Sequence, residues 1–327
     1  MSLITIQRFS ESGASSGQGS EAEAGRWYCQ QLEEGHMLFF PQPPFELPED
    51  EREFLLSQRQ VGAGYHKNIA YRPNQDRITG LAKRSEEEVE RLRRIMRAYS
   101  QRVTRFLAAL LPPYARSWRL DYASFRPQEE QGRNVRLRAR NDLLHVDAFP
   151  TRPTRGDRIL RVFTNINPTQ PRCWVTSDTT EVLVKRFAGS PGLPLPARPR
   201  KSAWQQARRW IFQQARAAGL PMTVRSPYDE FMLRFHHYLK ENHEFQATCA
   251  KQTWEFPPHS TWIVFTDMVT HAALSGQYAL EQTFIVSRDA LVLPEKAPIS
   301  VLEKLVGAPL TDPYGEEVSP KAHDCRR

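Results

Sequence analysis

The chain has 327 residues, of which 40% are hydrophobic, and it carries 45 Lys and Arg against 37 Asp and Glu. This length is enough for a full hydrophobic core, in one large domain or two smaller ones. The net charge of +8 favours an anionic partner: nucleic acid, an acidic membrane surface, or acidic sugars and phosphates. The four cysteines are widely separated, which argues against a disulfide framework or a cysteine zinc site and favours a reducing cytoplasm.

The first third of the chain contains a polar segment, a strand and a long helix. Residues 1–25 are mostly small and polar, so we expect them to form a flexible tail. Residues 36–41 predict a strand, which the proline-rich stretch after it ends. Ser85 and Glu88 have the spacing of a capping box, and apolar residues then repeat at helical spacing as far as a proline pair. We therefore predict a helix over residues 85–111 that packs on the outside of a sheet.

The rest of the chain alternates between strand-like and helical patterns. Amphipathic stretches at residues 204–218 and 228–239 predict a helical insertion over about residues 180–250, which we expect to form a lid or a subunit contact. Strands before and after this block indicate the α+β class, in a single domain over residues 26–295 with a C-terminal extension over residues 296–327. A homo-oligomer is left open. The strands are predicted at residues 118–125, 135–147, 158–165, 261–267 and 277–287.

Two segments supply the residue types of a mononuclear metal site. His145 and Asp147 are separated by one residue, and an extended backbone places both side chains on one face. His271 comes just after an apolar run that predicts a buried strand. Two imidazoles and one carboxylate are the ligands of non-haem Fe(II) oxygenases, and they leave three coordination positions open.

A His-x-Asp triplet also arises by chance, so other interpretations are open. His145 and Asp147 can form a hydrogen-bonded turn, and His271 can be a core histidine. His259, in a proline-flanked loop, is a second candidate for the third ligand. The histidines of the predicted insertion are interpreted as a polar helix face rather than a second metal site: His236, His237 and His243.

Three blocks of sequence surround the candidate ligands: His145-Val-Asp-Ala-Phe-Pro with the residues up to Pro168, Tyr122-Ala-Ser-Phe-Arg-Pro, and the block from Phe265 to Phe284. Together they resemble the Kdo hydroxylases, bacterial enzymes that hydroxylate 3-deoxy-D-manno-octulosonic acid (Kdo) in lipopolysaccharide. The similarity runs over about residues 32–294. It implies a dioxygenase that uses Fe(II), 2-oxoglutarate and O2, on a double-stranded β-helix (a cupin-like jelly roll) buttressed by helices. It also implies that His145, Asp147 and His271 are the Fe(II) ligands.

The distal carboxylate of 2-oxoglutarate needs a buried cation. Relatives in this broad superfamily often place an arginine on the strand after the second histidine, whereas this chain has Gln282 there. Arg161 is the preferred substitute because its apolar neighbours predict a buried strand, where an arginine needs a carboxylate. Arg288 is the other candidate, and either arginine can instead form an ordinary ion pair. Asn165 and Thr283 are predicted to contribute hydrogen bonds.

An acidic sugar needs further donors near the metal. Five arginines bracket the His-x-Asp motif, and a tyrosine and a serine upstream of it can bind hydroxyl groups. Residues 136–140 alternate between basic and apolar, so they can also be the solvated face of a strand. The candidates for substrate binding are Tyr122, Ser124, Arg126, Arg138, Arg140, Arg152 and Arg155.

These observations lead to a first hypothesis: hydroxylation of the 3-position of Kdo in lipid A or its precursor, with succinate and CO2 as coproducts. No apolar run approaches the roughly 18 residues that span a bilayer, and no export signal is visible. We therefore expect a cytoplasmic protein with peripheral contact to the anionic surface of the inner membrane. The alternatives are a cupin-like oxygenase acting on a protein side chain or another small molecule, and a non-catalytic basic module that binds lipopolysaccharide or nucleic acid. The sequence has no recognised nucleic-acid motif, so we do not expect a nucleic-acid partner.

Overall fold

The computed structural model describes residues 1–7, 21–58, 68–81, 84–196 and 223–311, together with positions 210 and 214. Its strands in chain order are β1 (Leu3–Thr5), β2 (Met37–Phe40), β3 (Ile69–Arg72), β4 (Arg77–Thr79), β5 (Trp118–Arg126), β6 (Arg158–Asn165), β7 (Arg172–Thr179), β8 (Gln252–Phe256), β9 (Thr261–Phe265), β10 (Val269–Ser275) and β11 (Ala279–Val286). Its helices are α1 (Glu21–Glu33), α2 (Glu49–Leu56), α3 (Glu86–Leu110), α4 (Pro112–Ala115), α5 (Thr180–Phe187), α6 (Pro227–Glu241), α7 (His243–Thr248) and α8 (Pro298–Val306).

The strands form two sheets. The larger sheet has the order β1-β2-β9-β6-β11-β5-β3-β4, and the smaller sheet has the order β10-β7-β8. Strands β1 and β2 pair in parallel, whereas the other neighbours are antiparallel. In the larger sheet β11 lies between β5 and β6, with Thr283 opposite Arg161. Because alternate strand residues share a face, this register places Glu281, Thr283 and Arg161 on the same face.

The two sheets pack face to face, and helices cover the outside of each sheet. The space between the sheets is filled by an aromatic cluster, in which the rings of Phe256 and Trp262 stack 3.9 Å apart. Helices α1 to α4 pack on the outer face of the larger sheet, and α5 to α8 pack on the outer face of the smaller one. Each large apolar side chain buried in these layers contributes about 1.5–3 kcal/mol relative to an exposed one. This sandwich with flanking helices is a double-stranded β-helix, which confirms the predicted fold class.

The long helix α3 forms as the sequence predicts. The Ser85 hydroxyl accepts a hydrogen bond from the Glu88 backbone N–H, and the Glu88 carboxylate accepts one from the Ser85 N–H. Such a cap contributes about 1 kcal/mol. The buried residues of the helix recur at three- and four-residue spacing from Leu92 to Leu110, so one stripe faces the sheet.

Other segments differ from the predictions. Residues 135–147 do not form a strand: residues 137–139 are a short 3₁₀ turn, and the segment has one isolated β-bridge, between His145 and His271. Leu3–Thr5 and Glu21–Glu33 are a strand and a helix although the sequence places residues 1–25 in a tail, because their apolar residues reach the core. Helix Pro298–Val306, in the predicted extension, also packs on the core. The predicted helix at residues 204–218 falls almost wholly outside the described residues. Among the helices that are described, none is long and apolar enough to cross a membrane.

Candidate metal centre

The His-x-Asp segment lies along β10, on the side away from β7. The His145 N–H donates to the His271 carbonyl at 3.0 Å, and the His271 N–H donates to the His145 carbonyl at 2.9 Å. The Asp147 N–H donates to the Thr266 carbonyl at 2.8 Å. The extended backbone sends Leu144 and Val146 into the outer hydrophobic cluster, so His145 and Asp147 point between the sheets.

The three side chains converge on one small space. His145 Nε2 lies 3.9 Å from Asp147 Oδ1, and His271 Nε2 lies 4.0 Å from Asp147 Oδ2. One potential ligand atom from each residue lies within 4.8 Å of the other two. All three residues are buried. A metal ion at bonding distance from all three atoms fits this spacing, with the remaining side open for further ligands.

Backbone carbonyls fix the orientation of both imidazoles. His145 Nδ1 lies 2.6 Å from the Leu143 carbonyl, and His271 Nδ1 lies 2.8 Å from the Val269 carbonyl. A carbonyl oxygen only accepts, so each Nδ1 carries the proton and each Nε2 keeps its lone pair for a metal. Burial lowers the pKa of His145 well below its ordinary value, helped by the neighbouring His271, and burial also lowers the pKa of His271. Both rings are therefore neutral at neutral pH.

These lowered pKa values predict a weak pH dependence of metal binding. Two imidazoles with the ordinary pKa of about 6.5 would lose about threefold in metal affinity between pH 7.5 and 6.5 through protonation. A group whose pKa is lowered stays neutral over this range, so we expect the Co(II) dissociation constant to change by less than that. Calorimetric titration with Co(II) at the two pH values, corrected for buffer protonation, measures the difference. A loss of threefold or more would contradict the lowered pKa values.

A buried chain of alternating charges extends from Asp147 into the larger sheet. Arg161 Nε lies 3.3 Å from Asp147 Oδ2, and its Nη1 lies 3.3 Å from Glu281 Oε1. Arg126 Nε donates to Glu281 Oε2 at 3.0 Å. Burial raises the pKa of Asp147, but Arg161, joined by the two imidazoles once acid protonates them, outweighs it and holds the pKa well below its usual range. Burial likewise raises the pKa of Glu281, and Arg126 and Arg161 outweigh it.

Several polar atoms around this space have no hydrogen-bond partner among the described residues. They are the indole N–H of Trp174, Asp147 Oδ2 and Arg161 Nε, all of them buried; the last two face each other at 3.3 Å as an ion pair but form no hydrogen bond. The Trp174 ring stacks on His271 with a centroid distance of 5.1 Å and an interplanar angle of 17°. A buried polar atom without any partner, such as the Trp174 N–H, costs about 1–3 kcal/mol. The Asp147 oxygen can bind a metal ion, and the Arg161 and Trp174 N–H groups can donate to an oxyanion. This combination fits Fe(II) together with the dicarboxylate 2-oxoglutarate.

Helices α6 and α7 hold the backbone of the His-x-Asp segment. The Gln246 side chain accepts a hydrogen bond from the Leu144 N–H at 3.0 Å and donates to the Leu144 carbonyl at 2.9 Å. His236 Nδ1 donates to the Val146 carbonyl at 2.7 Å, and its ring lies against His145 with centroids 5.0 Å apart. These side chains replace the ladder bonds that the segment lacks on this side.

Replacing His236 with Leu is expected to weaken metal binding by about tenfold, because the carbonyl between the two ligands loses the donor that holds it. Titration with Co(II), followed by its visible absorption, measures the affinity. His237→Gln is the matched control, since the His237 ring lies next to His236 but lines a surface groove with Arg138 and Glu241. Equal affinities for the two variants would show that the His236 contact does not position the ligands.

The structure divides the predicted cofactor residues into two groups. Arg161 and Thr283 lie at the metal centre, where the Thr283 hydroxyl donates to Glu281 Oε1 at 3.2 Å. Asn165 does not: its amide donates to the carbonyls of residues 170, 256 and 257, and Oδ1 accepts from the Asn167 N–H, so it organises a turn beyond the aromatic cluster. Arg288 pairs with Glu303 at 3.6 Å, outside the strand that carries Thr283. Asn165 and Arg288 thus have structural contacts in place of the predicted cofactor contacts.

The predicted substrate residues divide in the same way. Tyr122 and Arg152 contact each other near Phe149, two residues beyond Asp147, and Ser124 lies on the sheet face that also carries Glu281. Arg126 belongs to the buried charge chain. The other three arginines lie in different settings: Arg138 pairs with Glu241, Arg140 pairs with Asp142, and Arg155 is exposed at a positive φ of 57°. Nothing in their contacts directs these three side chains towards the metal centre.

Sequence reasoning missed four residues of this region. Glu281 and Trp174 are identified only by strand register and sheet packing. Arg72 is identified only by its position on β3, next to β5. His236 was interpreted as part of a polar helix face, because the helix had an apolar stripe without it. The sequence places His236 one helical turn before Lys240 but does not show that this side of α6 is buried, so it offered no signal for the contact.

Comparison with known proteins agrees with this geometry. Residues 16–309 match the family of 3-deoxy-D-manno-oct-2-ulosonic acid (Kdo) hydroxylases. The crystal structure of the Kdo hydroxylase KdoO, a non-haem Fe(II) alpha-ketoglutarate-dependent dioxygenase, in complex with alpha-ketoglutarate and Fe(III) is 33% identical, with a TM-score of 0.77 over 95% of this chain and 98% of that chain. Its cobalt(II) complex gives 33% identity and a TM-score of 0.79, over 97% of this chain and 99% of that chain. A comparison with curated protein sequences gives no match. The chain therefore belongs to the Kdo hydroxylase family of Fe(II)- and 2-oxoglutarate-dependent dioxygenases.

Proposed function

We propose that this protein hydroxylates the 3-position of Kdo in lipid A or its precursor. The observation that carries the proposal is the buried His145, Asp147 and His271 set with both Nε2 atoms turned inward, in a chain of this family. With Fe(II) and 2-oxoglutarate bound, the site would use O2 to replace a substrate C–H with C–OH and release succinate and CO2.

The residues present would hold both groups. His145 Nε2, His271 Nε2 and Asp147 would bind Fe(II), and Arg161 and Trp174 would offer N–H donors to 2-oxoglutarate. Charge balance supports this arrangement. Asp147 and Glu281 are already matched by Arg161 and Arg126, and a divalent cation with a dianion adds no net charge to the buried region. Two carboxylates already hold Arg161 in place before the dianion binds. Binding therefore loses little further side-chain entropy at Arg161.

The surroundings restrict water and orient the ligands. Trp174 stacks on His271 and packs against the ring of Phe163, with centroids 4.8 Å apart, so the aromatic cluster closes the inner end of the site. Closing one end leaves the side towards Tyr122 and Arg152 for an acceptor sugar. The carbonyl contacts of the two Nδ1 atoms fix the ring planes, so the open coordination positions face a fixed direction.

The activity is tested with purified protein, Fe(II), 2-oxoglutarate and a Kdo-bearing lipid A acceptor in the presence of O2. We expect succinate formation that the acceptor stimulates, and a product that carries one more oxygen atom on Kdo at carbon 3, assigned by mass spectrometry and NMR. A lipid A acceptor without Kdo is the matched control. Stimulation of succinate formation by the Kdo-free acceptor alone, or oxygen added to another sugar of the acceptor, would contradict the proposal.

We also propose that the protein acts in the cytoplasm and contacts the inner membrane peripherally, since its acceptor is a glycolipid and its net charge is +8. Sedimentation with vesicles tests this: we expect more protein to bind vesicles with anionic lipids than zwitterionic ones, and binding to fall as salt rises. Equal binding to the two vesicle types would contradict an electrostatic contact.

A further inference from the structure

An arginine that sequence reasoning did not select lies on the sheet face that also carries Glu281. Arg72 ends β3, where Ala70 is opposite Ser124 and Tyr71 is opposite Ala123 of β5. Ile69 and Tyr71 face the core outside the larger sheet, so Arg72 projects from the opposite face, the one that carries Ser124 and Glu281. Its guanidinium carbon lies 5.0 Å from the centroid of the Tyr122 ring.

A second guanidinium contacts the same ring. The Arg152 guanidinium carbon lies 4.0 Å from the Tyr122 centroid and 4.3 Å from the Phe149 centroid. Arg161, which pairs with Asp147, lies 5.4 Å from the same Phe149 ring. Two aromatic rings therefore link three guanidiniums, in a row from the metal ligand Asp147 outward to Arg72.

Arg72 differs from the other two cations because none of the described residues gives it an anionic partner. Arg152 pairs with Asp121, and Arg161 pairs with Asp147 and Glu281. No carboxylate of the described residues forms an ion pair with Arg72, and its Nε is buried without a hydrogen-bond partner. A buried guanidinium N–H without an acceptor is unfavourable, and a planar carboxylate would accept from Nε and a terminal nitrogen together.

We propose that Arg72 and Arg152, whose guanidiniums both contact the Tyr122 ring, bind the carboxylate of the acceptor sugar acid. This inference rests on the proposed function, because it concerns the substrate of the same site. In Kdo the carboxylate is attached to carbon 2, next to the carbon 3 that would be hydroxylated. A cation that binds the carboxylate must therefore belong to the same site as the metal, and the row of rings and guanidiniums connects Arg152 and Arg72 to the metal ligand Asp147. Lipid A phosphates lie on other sugars, farther from carbon 3.

The test is calorimetric binding to the protein loaded with Co(II) and 2-oxoglutarate, which does not depend on turnover. The ligands are the methyl glycoside of Kdo, the same glycoside with its carboxylate converted to a carboxamide, and a sugar phosphate without a carboxylate. For the unaltered protein we expect the carboxamide to bind about tenfold or more weakly than the acid. Arg72→Gln should weaken binding of the acid to a similar degree and bind acid and carboxamide equally. Arg72→Lys should recover part of the loss, because it restores the charge but not the planar fork.

Arg94→Gln is the control: Arg94 is an exposed residue of α3, on the outer side of the larger sheet, and should leave all affinities unchanged. The inference is overturned if Arg72→Gln distinguishes acid from carboxamide as well as the unaltered protein does, or if it loses affinity only for the sugar phosphate. Failure of the proposed function gives a different result, in which acid binding depends on Arg72 but a Kdo-bearing lipid is not hydroxylated. An unchanged Co(II) affinity in Arg72→Gln shows that the variant remains folded.

Discussion

Replacing His271 with Ala is expected to abolish metal binding and turnover of 2-oxoglutarate. The variant removes one of three converging ligand atoms. The metal then has only Asp147 and His145 as protein ligands. We expect the loss of affinity to exceed the roughly 10- to 100-fold that removing a hydrogen-bond partner of a metal ligand costs. Anaerobic titration with Fe(II) and 2-oxoglutarate, followed by the visible charge-transfer band of the chelate, measures both binding events.

His259→Asn is the matched control for this experiment. His259 is the other candidate for third ligand, but it has a φ of 60° in a loop, and its Nδ1 lies 3.2 Å from Arg52 rather than near Asp147. Asn tolerates this left-handed backbone conformation, so the loop keeps its shape. The band should be unchanged in His259→Asn and absent in His271→Ala. A band that persists in His271→Ala would disprove the assignment of this ligand.

Replacing Arg158 with Met is expected to lower the free energy of unfolding by about 3–5 kcal/mol, because it leaves a buried carboxylate without its cation. Arg158 Nε donates to Asp267 Oδ2 at 2.8 Å, and its side chain is 0% exposed, against 2% for Asp267. The guanidinium also lies 4.2 Å from the Phe265 ring centroid. Urea denaturation at pH 7 measures the change. Arg119→Met is the control. Arg119 pairs with Asp157, but its side chain is 63% exposed, so we expect this variant to lower the free energy of unfolding by about 1 kcal/mol or less.

The effect of Arg158→Met should depend on pH in a defined direction. Burial raises the pKa of Asp267, and Arg158 is the main opposing influence. Without Arg158 the folded pKa rises further above the unfolded value. A raised folded pKa means that stability is lost as the pH rises towards and through it, so the destabilisation should be smaller at pH 5 than at pH 8. The double variant Arg158→Met, Asp267→Leu should recover most of the stability. A deficit that is independent of pH would point to lost packing instead.

The sequence predicted the parts of the fold that depend on local patterns. The capping box and apolar stripe of α3, the span of β6 and the amphipathic stretch within α6 depend on neighbouring residues, and the structure contains all three. Residues 135–147 were predicted as a strand because they alternate between basic and apolar residues. The structure shows why this failed: helices α6 and α7 provide the hydrogen bonds that a neighbouring strand would have provided.

The candidate metal residues were accessible from sequence because His-x-Asp needs only strand parity, and the resemblance supplied His271. Their surroundings were not accessible, since the contacts between Arg161 and Glu281, or between Trp174 and His271, depend on register and on the packing of two sheets. Asn165 was placed on the cofactor by strand parity alone. Strand parity predicts which face of the sheet Asn165 lies on, but not how far along the strand it lies from the metal centre. At its actual position, a turn uses the hydrogen-bonding groups of the Asn165 side chain.

The bridge between His145 and His271 has a consequence for synthesis of the chain. The His-x-Asp segment, with two of the three ligands, emerges from the ribosome long before the strand that carries the third ligand. The nascent polypeptide therefore has only two of the three protein ligands while its aromatic and sulfur-containing side chains are still exposed. The complete set of three ligands forms only after β10 has emerged and paired with the His-x-Asp segment. Because its iron ligands come from distant parts of the sequence, the chain matures before it can carry out oxidative chemistry.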